Sequence, residues 1–322
     1  MTSELERPAA AVRRAKMRAY ARLAKLDVFD YYLSALVVWT LLAPAARLDG
    51  QNLLTLAIFL LSEVCLIAAL VAFDDVTGYR DGSDAINYGP DAPARRLARK
   101  PLLAGTLSEA EAVRFGWGAA GVGTLLCAVS VALAPHRPLW VLVAAVVYVV
   151  LCVQYSWGLK ISYHGGQEAF IAGLGVAVVL VPYGLLAAEN TGFAIVQAVL
   201  FGLGPLLFGV YSNINDIAGD RRVGRPTVAA TVSARGNAAF IGVLSLAEAV
   251  IIIVSAAAGV APWWFPLAML PVMVLRAVQL RTGLVRGEIL VARRLGIRIH
   301  RVAVAALVVV NILYPLIGQG VS

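Results

Sequence analysis

Residues 52–84 read NLLTLAIFLLSEVCLIAALVAFDDVTGYRDGSD. From Asn52 to Phe73 the stretch carries one charge, Glu63, and as a helix rising about 1.5 Å per residue it is long enough to cross roughly 30 Å of hydrocarbon. It then opens directly onto Asp74, Asp75, Asp81 and Asp84. An apolar span ending in a knot of carboxylates predicts a membrane helix with polar chemistry at its end.

The rest of the chain agrees. Of 322 residues, 60 % are hydrophobic and 14 % charged, against about 45–50 % and about 25 % in soluble domains. Mean hydropathy is +0.81, which excludes a water-facing globule of this size. The low charge and the 29 glycines exclude a coiled coil or a disordered scaffold. Apolar runs of spanning length occur near 28–47, 52–73, 111–133, 138–156, 168–188, 192–214, 237–258, 262–280 and 301–318, predicting an all-α polytopic membrane protein with nine transmembrane helices.

The net charge of +8 is topological. With a cytoplasmic N-terminus, every Lys and Arg except Arg47 and Arg137 falls in inward-facing segments, the expected positive-inside bias. The excess therefore reads as orientation and attraction to the lipid bilayer's anionic headgroups, and no nucleic acid is expected. Residues 1–26, with Arg13, Arg14, Lys16, Arg18, Arg22 and Lys25 among alanines, read as a basic cytoplasmic segment ahead of a single membrane domain over 27–322. Cys65, Cys127 and Cys152 lie inside spans and read as small buried residues.

Two inward segments, 74–110 and 215–236, are long and polar, which puts function on the cytoplasmic face. They also resemble each other. Lys100-Pro-Leu-Leu-Ala-Gly-Thr-Leu-Ser108 aligns without gaps to Arg225-Pro-Thr-Val-Ala-Ala-Thr-Val-Ser233. Each copy follows an Asp-rich stretch at the end of the second helix of a four-helix set. This pattern predicts two parallel four-helix repeats plus one helix.

The second Asp-rich stretch, Asn213-Ile-Asn-Asp-Ile-Ala-Gly-Asp-Arg-Arg222, carries Asp216 and Asp220 at i and i+4, on one face if helical. Six carboxylates at one mouth repel one another unless a cation neutralises them. Hard oxygen donors suit Mg²⁺, which commonly bridges carboxylates to substrate phosphates. The interleaved cations Arg80, Arg99, Lys100, Lys160, Arg221, Arg222 and Arg225 would complete a diphosphate cradle. A substrate with a phosphate head and a lipid tail fits that arrangement. Glu63 and Glu248 sit in mid-span, where a carboxylate is costly and by default a functional suspect. His136, His164 and His300 have no ligand spacing, and of these only His164 falls near a motif.

These motifs resemble the UbiA superfamily of intramembrane prenyltransferases. Asn213 to Asp220 and on to Gly224-Arg-Pro-Thr227 is similar to the motif of the branch that prenylates 1,4-dihydroxy-2-naphthoate. Arg99-Lys-Pro-Leu-Leu-Ala-Gly-Thr-Leu-Ser108 resembles the family's Arg-Pro-Leu-x-x-Gly-x-Ile-Ser. Tyr155-Ser-Trp-Gly-Leu-Lys160 with Tyr163-His-Gly-Gly-Gln-Glu168 resembles its third cytoplasmic motif. Where the family's first motif begins Asn-Asp-x-x-Asp, this chain has Asp74-Asp75-Val-Thr-Gly78; Asp75 and Asp84 match, and Asp81 is extra. Asn215 stands where the naphthoate branch has Arg.

The resemblance implies Mg²⁺ on Asp75, Asp84, Asp216 and Asp220 and ionisation of an isoprenyl diphosphate. The cation would then transfer to an aromatic or quinone-precursor acceptor. Lys100, Lys160 and Arg225 would stabilise the leaving diphosphate, and Tyr155, Tyr163 and Trp157 would face the cation. Asp74, Asp81, Arg80, Arg99 and Asn213 join the substrate-binding set. A terpene cyclase, needing no acceptor, and a secondary transporter are the competing readings.

Overall fold

The computed structural model describes residues 3–26, 30–89, 97–188 and 190–318; within these ranges, side chains are described from residue 11 to 317, Val12 excepted. The start of the first expected span, at 28 and 29, and the inward-counted Arg95 and Arg96 lie outside the described residues. Among the described residues the regular structure is all helix, with no strand. In chain order the helices are α1 (Ser3–Leu23), α2 (Ser34–Leu41), α3 (Pro44–Arg47), α4 (Gly50–Arg80), α5 (Ser83–Asn87), α6 (Glu109–Leu133), α7 (Leu139–Gln154), α8 (Gln167–Ala187), α9 (Gly192–Val223), α10 (Val228–Thr231), α11 (Ala234–Ala257), α12 (Phe265–Ala268), α13 (Leu270–Leu280) and α14 (Ile289–Gly318).

Among the described residues, six helices are long and apolar enough to cross a membrane: α4, α6, α8, α9, α11 and α14. α7 is apolar but shorter, at 16 residues. The two remaining expected spans are broken. In 28–47, Pro44 ends α2 and starts α3, because its ring cannot continue the preceding helix. In 262–280, Pro266 and Pro271 sit in the first turns of α12 and α13. α4 and α9, by contrast, run past their apolar stretches to Arg80 and Val223. Charge does not stop a helix, and glycine at positive φ does, Gly82 after α4 (φ 80°) and Gly224 after α9 (φ 70°).

The helices that carry the Asp-rich segments are the innermost ones. Of their apolar windows, 78 % is buried in α9 and 67 % in α4, against 28 % in α6 and α11. α6 docks on α4 through a stripe of small residues, Ala112, Gly116, Ala120, Gly123 and Cys127, spaced three to four apart on one face. A Cβ at Gly116 would lie 2.7 Å from the Phe73 ring, and one at Gly123 would lie 2.7 Å from Leu66. α8 and α9 cross closely enough that a Cβ on Gly202 would meet the Ala172 carbonyl at 2.3 Å.

α1 buries Ala19 and Leu23 against Ala72 and Val76 of α4 and against Leu102 and Leu107. It exposes Arg13, Arg14, Lys16 and Arg18, an amphipathic division suited to a membrane surface. Ser108 and Ser233, equivalent in the two nine-residue copies, do the same local job: each N-caps the helix that follows, α6 and α11. The three cysteines are free.

Two charges that the sequence suggested for function have hydrogen-bond partners inside the bundle. Glu248 on α11 accepts two hydrogen bonds from the Arg276 guanidinium on α13, both 2.8 Å, and Arg276 also donates to Gln279 at 2.6 Å. Arg276 is thus not the loop cation that the charge count made of it, but a buried partner. Arg47 and Arg137, the two outward exceptions, donate to helix-end carbonyls: Arg47 to Thr40 and Leu42, Arg137 to Val131 and Ala132. Glu63 accepts from the Ser34 hydroxyl at 2.8 Å.

Candidate active site

α4 and α9 bring both Asp-rich segments to one end of the bundle, around a single cavity of about 1450 Å³, open mouth included. Toward the bundle centre its lining is apolar: Ile67, Leu70 and Val71 of α4, Phe170 and Leu174 of α8, and Phe208 of α9. Toward the end it becomes charged.

On the α4–α5 side, the carboxylates are matched by cations. The Lys100 ammonium sits between Asp75 and Asp84, 2.8 Å from an oxygen of each. Lys25, at the end of α1, lies 3.1 Å from Asp75 and 3.8 Å from Asp74. Arg225 reaches across from beyond α9 to Asp74 at 3.2 Å. Ser156, after α7, donates to the same Asp74 oxygen at 2.8 Å. Burial pushes the Asp84 carboxyl up to about 6, with Lys100 opposing and Asp75 adding to the rise. Burial alone would lower the Lys100 ammonium, but Asp75 and Asp84 outweigh it and hold it well above its ordinary value.

On the α9 side, Asp216 and Asp220 line the cavity from one helical face, as their spacing predicts. Thr227 donates to Asp220 at 3.1 Å. Asn213 is held by Gln167 and Glu168 of α8, and Glu168 also accepts from the Val228 amide at 3.0 Å. The two sides are tied by Asn87 of α5, which accepts from the Gly219 amide at 2.9 Å. A Cβ there would lie 2.5 Å from the Asn87 amide nitrogen, so a larger residue would push the Asn87 side chain aside.

Gly78 departs from the expected motif for a spatial reason. The Asp84 carboxyl group lies over its Cα, where a Cβ would be 2.9 Å from Asp84 Cγ. α5 folds back to place a carboxylate beside the position whose own side chain is missing.

Of the residues the sequence nominated, Asp74, Asp84, Asp216, Asp220, Tyr155, Arg99, Lys100, Asn213 and Arg225 line the cavity. Asp75 stands directly behind, 1 % exposed, bonded to Lys100. The others point elsewhere. Arg80 forms a two-bond pair with Glu109 at 2.8 and 2.9 Å and stacks over Trp157, whose ring lies 4.9 Å away. Trp157 itself packs with Phe73 and Trp117. Lys160 is exposed, its ammonium 5.4 Å from the Tyr163 ring, and His164 is exposed as well. Asp81 accepts from the Tyr163 hydroxyl, and the Tyr163 ring lies 4.6 Å below the Arg225 guanidinium. Asp81 and Tyr163 therefore steady Arg225 from outside the cavity. Sequence reasoning missed Arg22, Asn87, Tyr88 and Arg293 in the lining, and the placing of Lys25 on the Asp pair.

No three His, Cys, Asp or Glu side chains among the described residues gather around one ion position. The donor set nonetheless fits Mg²⁺. Asp75 Oδ2 is buried without a hydrogen-bond partner, and Mg²⁺ typically takes one or two carboxylates and completes its shell with water and substrate phosphate.

The UbiA prenyltransferase family model matches residues 32–288. The chain belongs to the UbiA prenyltransferase family. Like other members it is an integral membrane protein. Its fold is similar to that of a digeranylgeranylglyceryl phosphate synthase, with a TM-score of 0.60 at 15 % identity over 92 % of this chain and 99 % of that one. It is also similar to a UbiA homologue from Archaeoglobus fulgidus bound to DMAPP and Mg²⁺, with a TM-score of 0.60 at 13 % identity over 89 % and 99 %. A third likeness is to an apo UbiA homologue from Aeropyrum pernix K1, with a TM-score of 0.55 at 14 % identity over 87 % and 97 %. Sequence comparison with curated proteins finds no match. The family match and these folds do not single out the dihydroxynaphthoate branch.

Proposed function

We propose that this UbiA-family chain is a Mg²⁺-dependent intramembrane prenyltransferase that ionises an isoprenyl diphosphate and passes the prenyl group to an aromatic or quinone-precursor acceptor. The reading places nine helices in the bilayer, with the N-terminus and the cavity mouth at the cytoplasmic face. One observation carries it: both Asp-rich segments, with Lys100 and Arg225, border a single cavity whose inner half is apolar. A diphosphate head fits the charged end and an isoprenoid tail the apolar one. The neighbour bound to DMAPP and Mg²⁺ supports the same assignment.

Asp75, Asp84, Asp216 and Asp220 would hold Mg²⁺, which would supply Lewis-acid withdrawal of electron density from the breaking allylic C–O bond. Lys100 and Arg225 supply fixed positive charge where the departing diphosphate gathers negative charge. Tyr155, 6 % exposed and packed at a tilt on Phe170 with ring centres 4.4 Å apart, turns an aromatic surface toward the cavity, where a carbocation is attracted. The apolar lining keeps water from capturing that cation before the acceptor does.

Incubating the purified protein with geranylgeranyl diphosphate and Mg²⁺, with and without an aromatic acceptor, tests the reading. Prenylated aromatic formed only with acceptor supports transfer. A hydrocarbon formed without acceptor makes the chain a cyclase. No diphosphate release under either condition contradicts both and favours transport.

Gly78→Ala tests the carboxylate placement. The added methyl displaces Asp84 from Lys100, and a shift of about 1 Å at a reacting centre costs on the order of 10²-fold in turnover. Turnover equal to wild type would remove the position of Asp84 from the mechanism.

A further inference from the structure

Glu63 is a buried charge to which the proposed mechanism gives no role. It is 1 % exposed and lies on α4 one helical turn beyond Ile67, the α4 residue of the cavity lining farthest from the Asp-rich end. Ser34 donates to Oε2 at 2.8 Å, and Oε1 is buried with no hydrogen-bond partner among the described residues. Glu63 also lines a second, smaller pocket of about 270 Å³, open mouth included, together with Leu26, Tyr31, Tyr32, Val64 and Ile67. Tyr31 and Ile67 line the main cavity as well, so the two spaces adjoin. Leu26 and Tyr32 are exposed, which opens the pocket on the outside of the bundle.

The tyrosine wall of this pocket is anchored at both ends. Tyr31 and Tyr32 belong to a single 3₁₀ turn, Asp30–Leu33. Arg301 of α14 donates to Asp30 at 2.6 and 3.0 Å, and Ser34, next in the chain, is bonded to Glu63 of α4. The Tyr32 hydroxyl is already donated to Asp30 at 3.0 Å. A water held in such a space needs about two to four polar partners, and Leu26, Val64 and Ile67 offer none. A largely apolar molecule with one hydroxyl matches the lining better, its hydroxyl on Oε1 and its body against the tyrosine rings. The volume suits one or two fused rings, since an apolar cavity of about 150 Å³ already takes benzene.

We propose that Glu63 and this side pocket select the acceptor, with Glu63 Oε1 accepting the hydroxyl of a hydroxylated aromatic ring seated against Tyr31 and Tyr32. This rests on the proposed function and adds to it a specificity-determining residue outside the diphosphate end of the cavity. An ether of the same shape leaves the carboxyl oxygen buried and unpaired, which is how a site built for a hydroxyl rejects the analogue that lacks it.

The test reads binding and not turnover. Full-length protein in detergent, saturated with Mg²⁺ and a non-hydrolysable geranyl diphosphate analogue, is titrated by calorimetry with 1-naphthol and with 1-methoxynaphthalene, and the heats of protein-free micelles are subtracted. Wild type is expected to prefer the naphthol by about 10- to 100-fold, the range for a hydrogen bond to a charged group. Glu63→Leu is expected to bring that ratio close to one with the affinity for the donor analogue unchanged, and Glu63→Gln, whose amide oxygen still accepts, to keep most of the preference. A purely structural Glu63 would shift both ligands alike. Should Glu63→Leu fail to fold, Tyr32→Ala at the exposed rim decides, since it is expected to weaken naphthol and ether together by about 10-fold through the lost ring contact, and undiminished naphthol binding would place the ligand elsewhere. No preference in wild type, or a preference that survives in folded Glu63→Leu, would overturn the inference and leave the proposed function standing. Failure of wild type to bind the donor analogue at all would take down the proposed function with it.

Discussion

Asp220→Ala is expected to lower diphosphate release from an isoprenyl donor by about 10³-fold or more while the protein stays folded. Asp220 sits 4 % exposed on the innermost helix and faces the cavity beside Asp216. On the proposed function, removing it takes away a carboxylate that would hold metal against the diphosphate. Losing one preorganised group that stabilises transition-state charge costs about 10²–10³-fold, and a lost metal ligand adds to that. Stability should change little or rise, since the native carboxylate is buried with the Thr227 hydroxyl as its hydrogen-bond donor and its desolvation is relieved on truncation. The measurement is single-turnover release alongside thermal unfolding in detergent. Wild-type release by folded Asp220→Ala removes that carboxylate from the mechanism.

Glu248→Ala should have the opposite profile. It strands the Arg276 guanidinium, 3 % exposed, with Gln279 as its remaining partner among the bonds to Glu248 and Gln279 described above. Breaking a buried ion pair from one side costs about 3–5 kcal/mol, read as a large fall in the melting temperature or loss of the monodisperse fraction. Replacing both members, Glu248→Leu with Arg276→Met, should recover most of that stability, because the pair's desolvation cost disappears with it. The double variant should release diphosphate at the wild-type rate, since neither residue lines the cavity. A stable double variant that is catalytically dead would restore Glu248 as the functional suspect its mid-span position first made it.

These two residues also show what the sequence reveals and what it hides. Hydropathy marks both Glu63 and Glu248 as anomalies, but it cannot say that an arginine 28 residues later in the chain supplies the partner of Glu248. The Asp216–Asp220 pairing was legible because its i, i+4 spacing fixes a shared face in any helix. The helical phase of Arg80 was equally available. At about 100° per residue it stands about 140° around α4 from Asp75, and the structure turns it to Glu109 instead of the cavity. Lys160 stands exposed and outside the cavity lining for a different reason. Its backbone is left-handed, φ 49°, and an unusual turn conformation at a non-glycine residue carries no local signature. Lys25 and Arg293 belong to elements far in sequence from the Asp-rich motifs, and tertiary closure alone brings them to the cavity. The broken first and eighth spans were foreshadowed by Pro44 and Pro271, which hydropathy averages over.

The most direct measurement of the central claim is diphosphate release from geranylgeranyl diphosphate by the purified protein, followed by phosphorus NMR as Mg²⁺ is added and then withdrawn with a chelator. Release that begins with Mg²⁺, stops on chelation and is absent in folded Asp220→Ala is the predicted result. Release that proceeds equally without divalent cation, or survives unchanged in that variant, would contradict it.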